Sequence, residues 1–283
     1  MTAQPTSAQL IEQGLFHHRQ GDLAMAMDRY TQVLRTDPQN PDALYYIALV
    51  CCNEGQFQQG IDLARRSITN GGARARANNL IGQALHRMGK IKDALDSFDT
   101  ALEADPNFAD AYGNRANMLS ELGRQAEALS SFDRALAINP NSAIDWVNRG
   151  ATLHSLGRID DAIASYDRAI AIDSEFAIVH LNRAGVMAEI GRWPEALEGF
   201  ERAISLVPDA TPAHVGRAAA LQNLGRLDDA LAACDRAITL TADYVDAHKR
   251  RADILQAMGR DEDAKTAQAK AEALEAARPP AAT

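Results

Sequence analysis

Hydrophobic positions along this chain recur with helical spacing and are interrupted by glycine at a fixed interval. In Ala143 to Phe176, AIDWVNRGATLHSLGRIDDAIASYDRAIAIDSEF, two apolar-periodic segments flank Gly157. Trp146, Arg149, Gly150 and Leu153 fall on one face of the first, and Leu156 closes it. Ala162, Ile163, Tyr166, Ala169 and Ile170 follow the i, i+3, i+4, i+7, i+8 template of an amphipathic helix in the second. The stretch predicts a helical hairpin. Glycine stands at 21, 55, 89, 123, 157, 191, 225 and 259, each 34 residues after the last. A fixed period of that length marks stacked supersecondary units, not one folded core.

With Gly157 taken as position 15, further columns align. Position 8 is always small, from Gly14 and Ala48 to Ala252. Position 20 is alanine except at Gly60. Position 24 carries Tyr30, Phe98, Phe132, Tyr166 and Phe200. Alanine dominates position 27, and position 32 carries Pro38, Pro106, Pro140 and Pro208. Small residues at 8 and 20 predict close approach of the two helices, with the aromatic filling the gap beside them. Glycine at 15 suits the left-handed residue that ends a helix. Acidic residues such as Glu127, Asp161 and Glu195 open the second helix, where the dipole favours them. The proline stops that helix.

These columns resemble the tetratricopeptide repeat family over about residues 7 to 278. The resemblance implies an all-α fold: a right-handed α-solenoid, or superhelix, of antiparallel helix pairs whose first helices line a concave face. The expected repeats are 7–40, 41–74, 75–108, 109–142, 143–176, 177–210, 211–244 and 245–278, with residues 1–6 and 279–283 disordered. One departure is arginine at position 7, in Arg115, Arg149, Arg183, Arg217 and Arg251, where the family usually has leucine. Pairing of these with acids at position 25, such as Asp99, Asp167 and Asp235, is expected to form a structural ladder. No hairpin of this size buries enough surface to offset its own ordering, so neighbours must stabilise it.

Repeat 1 is polar at Gln13, His17 and Gln20, as a terminal cap would be. The last helix carries Lys265, Gln268 and Glu272 at columns that are apolar elsewhere. Repeat 2 deviates most, with Gly60, Ala64 and Ser67 in place of alanine, aromatic and alanine. Either drift or a hinge accounts for that.

Composition narrows the function. A net charge of −9 without a lysine–arginine run disfavours nucleic acid and anionic membrane as partners. The start lacks a signal-peptide pattern, and no apolar run reaches the roughly 20 residues of a membrane span. Three cysteines without a framework suggest a reducing, cytoplasmic setting. Cys51 and Cys234 occupy core columns, and Cys52 is expected to face the groove.

The concave columns hold Asn114, Asn148 and Asn182 at position 6 and Asn117 at position 9. Asparagine offers two donors and an acceptor without charge, so a ladder of them can pair with the backbone of a peptide. The alternative is that each bonds a neighbouring helix. Similar ladders line the repeat region of O-GlcNAc transferases. Val147, Leu181 and Val215 supply apolar surface between the rungs, with Ile144, Ala151 and Ile178, and His154 stands at the rim. The expected partner is a neutral extended or helical peptide. The carboxylate clamp of chaperone-binding repeats is absent: Asn182 is followed by Gly216, and position 5 has only Lys249. His180, His214 and His248 share position 4, where packing is the plain reading and metal binding is not expected. No catalytic constellation, cofactor motif or phosphate loop is present. The chain reads as a non-enzymatic protein-binding scaffold. Two alternatives are a recruiting module of a glycosyltransferase-like system and a self-assembling structural array.

Overall fold

The computed structural model describes residues 5–277, all of whose regular structure is helical. The chain divides into two compact units, Met1–Pro140 and Asn141–Thr283, each built from antiparallel helix pairs of the solenoid class. The first unit holds α1 (Ser7–Arg19) and α2 (Leu23–Thr36), α3 (Pro41–Asn53) and α4 (Phe57–Thr69), α5 (Arg74–Arg87) and α6 (Ile91–Ala104), then α7 (Ala109–Glu121) and α8 (Gln125–Ile138). The second holds α9 (Ala143–Ser155) and α10 (Ile159–Ile172), α11 (Ala177–Glu189) and α12 (Trp193–Leu206), α13 (Thr211–Asn223) and α14 (Leu227–Leu240), then α15 (Val245–Ala257) and α16 (Asp261–Ala276). Of the segments expected to be disordered, residues 1–4 and 279–283 lie outside the described residues. Thr6 belongs to the fold: the Gln9 amide donates to its hydroxyl and its own amide donates to the Gln9 side chain, a capping box for α1.

Gly157 shows why position 15 is glycine. Its φ is 72°, and a Cβ there would meet nothing within 4 Å, so conformation and not space excludes other residues. The Arg158 amide donates to Leu153 O and the Gly157 amide to His154 O, both at 2.9 Å, the paired bonds of a Schellman ending. The reason for small residues at position 8 is different. A Cβ on Gly150 would lie 2.6 Å from Cε1 of Tyr166, a ring only 1% exposed. Gly14 faces Tyr30 and Gly82 faces Phe98 in the same way. Positions 8 and 24 are thus one contact: the aromatic ring fills the volume that the small residue vacates.

Position 7 arginines join successive pairs. Arg115 Nε donates to Asp99 at 2.5 Å, Arg183 Nε to Asp167 at 2.7 Å and Arg251 Nε to Asp235 at 2.8 Å, and Arg217 lies 3.4 Å from Glu201. Arg115 also donates to Ser131 Oγ, and Arg149 to Ser165 Oγ, on the second helix of its own pair. One guanidinium therefore ties Arg115 to two second helices at once. The partners stay partly exposed, so each pair contributes at most about 1 kcal/mol. The position-4 histidines also hold the structure together. Nε2–H of His180, His214 and His248 donates to the carbonyl of Ser174, Pro208 and Ala242 at 2.8–3.0 Å, bracing the turn before each helix.

Repeat 2 is repaired by paired exceptions. A Cβ on Gly60 would sit 2.3 Å from Sγ of Cys52, so the sulfur occupies the place alanine takes elsewhere. Ser67 is fully buried and donates to Pro41 O at 2.7 Å. Ala64 shares a core cluster with Leu80 and Ile81, and Ile81 stands at position 7 where later repeats have arginine. The layer is closed, and each deviation answers another. Gly60→Ala is expected to cost about 1–3 kcal/mol in the native background. With Cys52→Ala present, part of that loss should vanish, because the sulfur is gone while Ala48 O still lies 3.0 Å from the added carbon. Denaturant unfolding of the four proteins in this cycle checks it; equal losses in both backgrounds would refute the exchange.

Candidate functional site

Within each unit, successive odd-numbered helices touch one another: α3 with α5 and α5 with α7 in the first unit, and α9 with α11, α11 with α13 and α13 with α15 in the second. Among the described residues, successive even-numbered helices make no comparable contact. The odd helices therefore lie on the inner side of each stack.

A cavity of about 800 Å³ opens on that inner side in the first unit. Leu49, Cys52 and Asn53 of α3, Leu80, Gln83, His86 and Arg87 of α5, and Asn114, Asn117 and Met118 of α7 line it. Phe57 and Phe98 reach it from α4 and α6. Polar and apolar groups share its lining about equally: Asn53, Gln83, Asn114 and Asn117 are uncharged amides, and Glu54, His86 and Arg87 stand beside them. Cys52 faces it as expected, while Cys51 and Cys234 are buried; all three thiols are free. Burial, with Cys51 beside it, pushes the Cys52 thiol up to about 11, so at neutral pH it is a small protonated group and not a nucleophile.

The asparagines expected to form a ligand ladder fall into two places. Asn114 and Asn117 are on α7 of the first unit, and both line the cavity. Asn114 Nδ2 donates to Asn79 Oδ1 at 3.0 Å, and Asn79 is 8% exposed. One of its amide hydrogens is thus used between helices, and a second N–H and carbonyl valence remain. In the second unit, Asn148 on α9 and Asn182 on α11 are both partly exposed. His154 is tied to α11 through Glu189, with Nε2 2.6 Å from Oε2. Leu181 is partly buried against the cluster containing Met187 and Phe200, and Val215 is partly buried.

Val147 differs from expectation. It is 3% exposed and belongs to the core, so it offers no surface to a ligand. At Val147 position 5 turns inward, as at buried Asn79 in the first unit, whereas Leu181 and Val215 at the same position stay partly exposed. The apolar surface of the second unit instead comes from Ile144 and Ile178, 51% and 40% exposed. Sequence reasoning also missed Gln83 and Leu49, which share position 9 with Asn117 and line the same cavity; their column was the available signal.

A set of inter-helix rungs follows the rim. Asn53 Nδ2 lies 3.4 Å from His18 Nε2, and His86 Nε2 lies 2.9 Å from Glu121 Oε1. Each joins position 12 of one pair to position 13 of the next. No helix among the described residues is long and apolar enough to cross a membrane.

Family models agree with this geometry. Models described as tetratricopeptide repeat match residues 79–143, 181–245 and 131–164, and one described as TPR repeat matches 150–191. A model of anaphase-promoting complex, cyclosome, subunit 3 matches residues 17–101. No curated protein matches the chain. Among solved structures, the type IV pilus biogenesis factor PilW is 25% identical with a TM-score of 0.65, covering 72% of this chain and 94% of its own. YrrB, described as a TPR protein with an unusual peptide-binding site, is 21% identical with a TM-score of 0.54, covering 65% of this chain and 95% of its own. The APC/C hetero-tetramer Cut9–Hcn1 is 17% identical with a TM-score of 0.67, covering 92% of this chain and 52% of the matched one. The last two likenesses speak to the fold alone. With the repeat models covering residues 79–245 between them and paired helices throughout the described residues, the chain is a tetratricopeptide repeat protein.

Proposed function

We propose that this protein is a non-catalytic interaction scaffold that holds an extended or helical segment of a partner protein against its odd-numbered helices. The cavity of the first unit carries the proposal. It is concave, apolar side chains such as Leu49, Phe57 and Leu80 share its lining with polar ones, and Gln83, Asn114 and Asn117 present amides that can pair with a peptide backbone. In the second unit, Asn148, Asn182 and His154, with Leu181, Val215, Ile144 and Ile178, form the corresponding surface. Within each unit, the 34-residue spacing sets successive odd helices side by side along such a segment. The net charge of −9 argues against nucleic acid, and three free thiols favour a cytoplasmic setting. A recruiting role beside a glycosyltransferase-like catalytic protein would use the same amide-bearing surface and would show as sugar-nucleotide turnover in the purified complex.

Gln83→Ala combined with Asn117→Ala removes two amides without touching the Asn114–Asn79 bond. Each lost hydrogen bond weakens binding by about 0.5–1.5 kcal/mol, so the pair should reduce retained partner roughly ten-fold. Quantitative pull-down against wild type and an exposed control, Glu103→Ala, checks this. Partner retained equally by all three proteins would contradict the groove reading.

A second reading, self-assembly, is favoured by Phe16. It is 61% exposed at position 10, whereas Val50, Met118, Val186 and Ile254 at that position are at most 2% exposed. A cavity of about 420 Å³ lined by Gln9, Gln13 and His17 lies beside it. If this face joins copies, the mass from light scattering rises with concentration in wild type and stays constant in Phe16→Gln. A constant monomer mass in both removes the reading.

A further inference from the structure

The first-unit cavity sits where the rim ladder is interrupted. Rungs join α1 to α3 through His18 and Asn53, and α5 to α7 through His86 and Glu121. Between α3 and α5 the matching positions are Cys52 and Arg87, and no bond joins them. The thiol is short, and its sulfur is drawn back toward α4 into the space that Gly60 leaves. Two consequences follow at one place. The cavity opens with a wall of Leu49, Leu80, Phe57 and Met118. Arg87 stands at its mouth, with its guanidinium 5.8 Å from the centroid of the Phe57 ring and no carboxylate within ion-pair distance among the described residues. The ring face holds the cation in position but supplies no hydrogen-bond acceptor for it.

We propose that this cavity takes a bulky apolar side chain from an extended partner segment, and that a carboxylate two residues away on the same segment completes the missing rung by pairing with Arg87. The inference rests on the groove reading above and adds to it the chemistry of the segment. In an extended chain, side chains recur on one face with a period of two, so an apolar residue seated in the cavity presents its second neighbour to the same rim. The cavity volume of about 800 Å³ lies in the range of roughly 300–1,000 Å³ that sites for small-molecule-sized groups occupy. Its wall accepts an apolar group without stranding a charge, since the Cys52 thiol stays protonated. Arg87 selects the second group by charge and by its fork of donors. Glu54 also lines the mouth and opposes an incoming carboxylate, which keeps the preference moderate. The recognition element is therefore a bulky apolar residue and an acidic residue spaced by one, in either order. A chain terminus is not required.

The test uses the full chain and fluorescein-labelled decapeptides of glycine and serine, acetylated and amidated at their ends. One carries tryptophan and glutamate spaced by one residue, one has glutamine for the glutamate, and one has serine for the tryptophan. Binding is read by anisotropy, and the site by protection of Cys52 from slow alkylation at pH 9.5, where a thiol pushed up to about 11 carries roughly the thiolate fraction of an ordinary cysteine at neutral pH. The tryptophan–glutamate peptide should bind about five-fold tighter than the glutamine peptide, as a half-exposed ion pair allows, and should protect Cys52. The serine peptide should do neither. Arg87→Gln should make the glutamate and glutamine peptides equal, Arg87→Lys should restore part of the difference, and Glu54→Gln should enlarge it. Equal binding of the glutamate and glutamine peptides to wild type, with Cys52 protected by both, would overturn the Arg87 inference and leave the groove reading standing. No protection of Cys52 by any peptide would overturn the site itself. The groove reading would then rest on the Gln83 and Asn117 pull-down alone.

Discussion

A ring lying on the backbone of its partner helix is the contact from which this fold is assembled. Tyr166 against Gly150, Tyr30 against Gly14 and Phe98 against Gly82 leave no room for even one added carbon. Such contact sets the distance between the two helices of a hairpin. It also leaves each hairpin thin, with most of its remaining apolar surface facing its neighbours. Arg115, Arg183 and Arg251 then connect one hairpin to the next, and the position-4 histidines brace the turns between them. Stability is accordingly a sum over adjacent layers, and each layer tolerates exceptions only in compensating sets. Gly60 with Cys52 is one such set.

The same arrangement accounts for where amide-bearing side chains collect. Because odd helices close on each other within a unit, some of their side chains crowd inward, as at position 5 of α5 and α9, while others such as Gln83 and Arg87 stay open. Asn79 and Val147 are buried by that crowding. Gln83, Asn117, Cys52 and Arg87 occupy the open positions and meet at one cavity. Where the rim rung is present, as between His86 and Glu121, two inner helices are tied together. Between α3 and α5, where Cys52 and Arg87 form no rung, the cavity and a guanidinium without an ion-pair partner among the described residues lie side by side.

Much of the fold was legible because its rules are steric and local. Glycine at 157 reports a positive φ, and a small residue at 150 reports the ring at 166; both can be read from columns alone. Alternating charge made the arginine ladder legible, since Arg183 and Asp167 occur at a constant offset. The site was less legible. Val147 looks exposed on a helical wheel, and only the approach of neighbouring odd helices buries it. Asn114 looks like a free rung, yet it is bonded to Asn79 in the position before its own. The Gly60 substitution looks like decay until the Cys52 sulfur is placed against it. Phe16 was hidden because position 10 is a buried column in other repeats, such as Val50 and Met118, yet Phe16 itself is 61% exposed. Each of these depends on inter-layer geometry that a single repeat does not encode.

The central claim is that no hairpin here is stable without its neighbours. Circular dichroism of the isolated segment 143–176 tests it most directly, since this segment carries the small-residue and aromatic pair, Gly150 and Tyr166, in its complete form. The isolated segment is expected to give a largely unfolded spectrum with no cooperative melting transition. A helical monomer that melts cooperatively would show that one layer suffices, and the dependence on neighbours would be wrong.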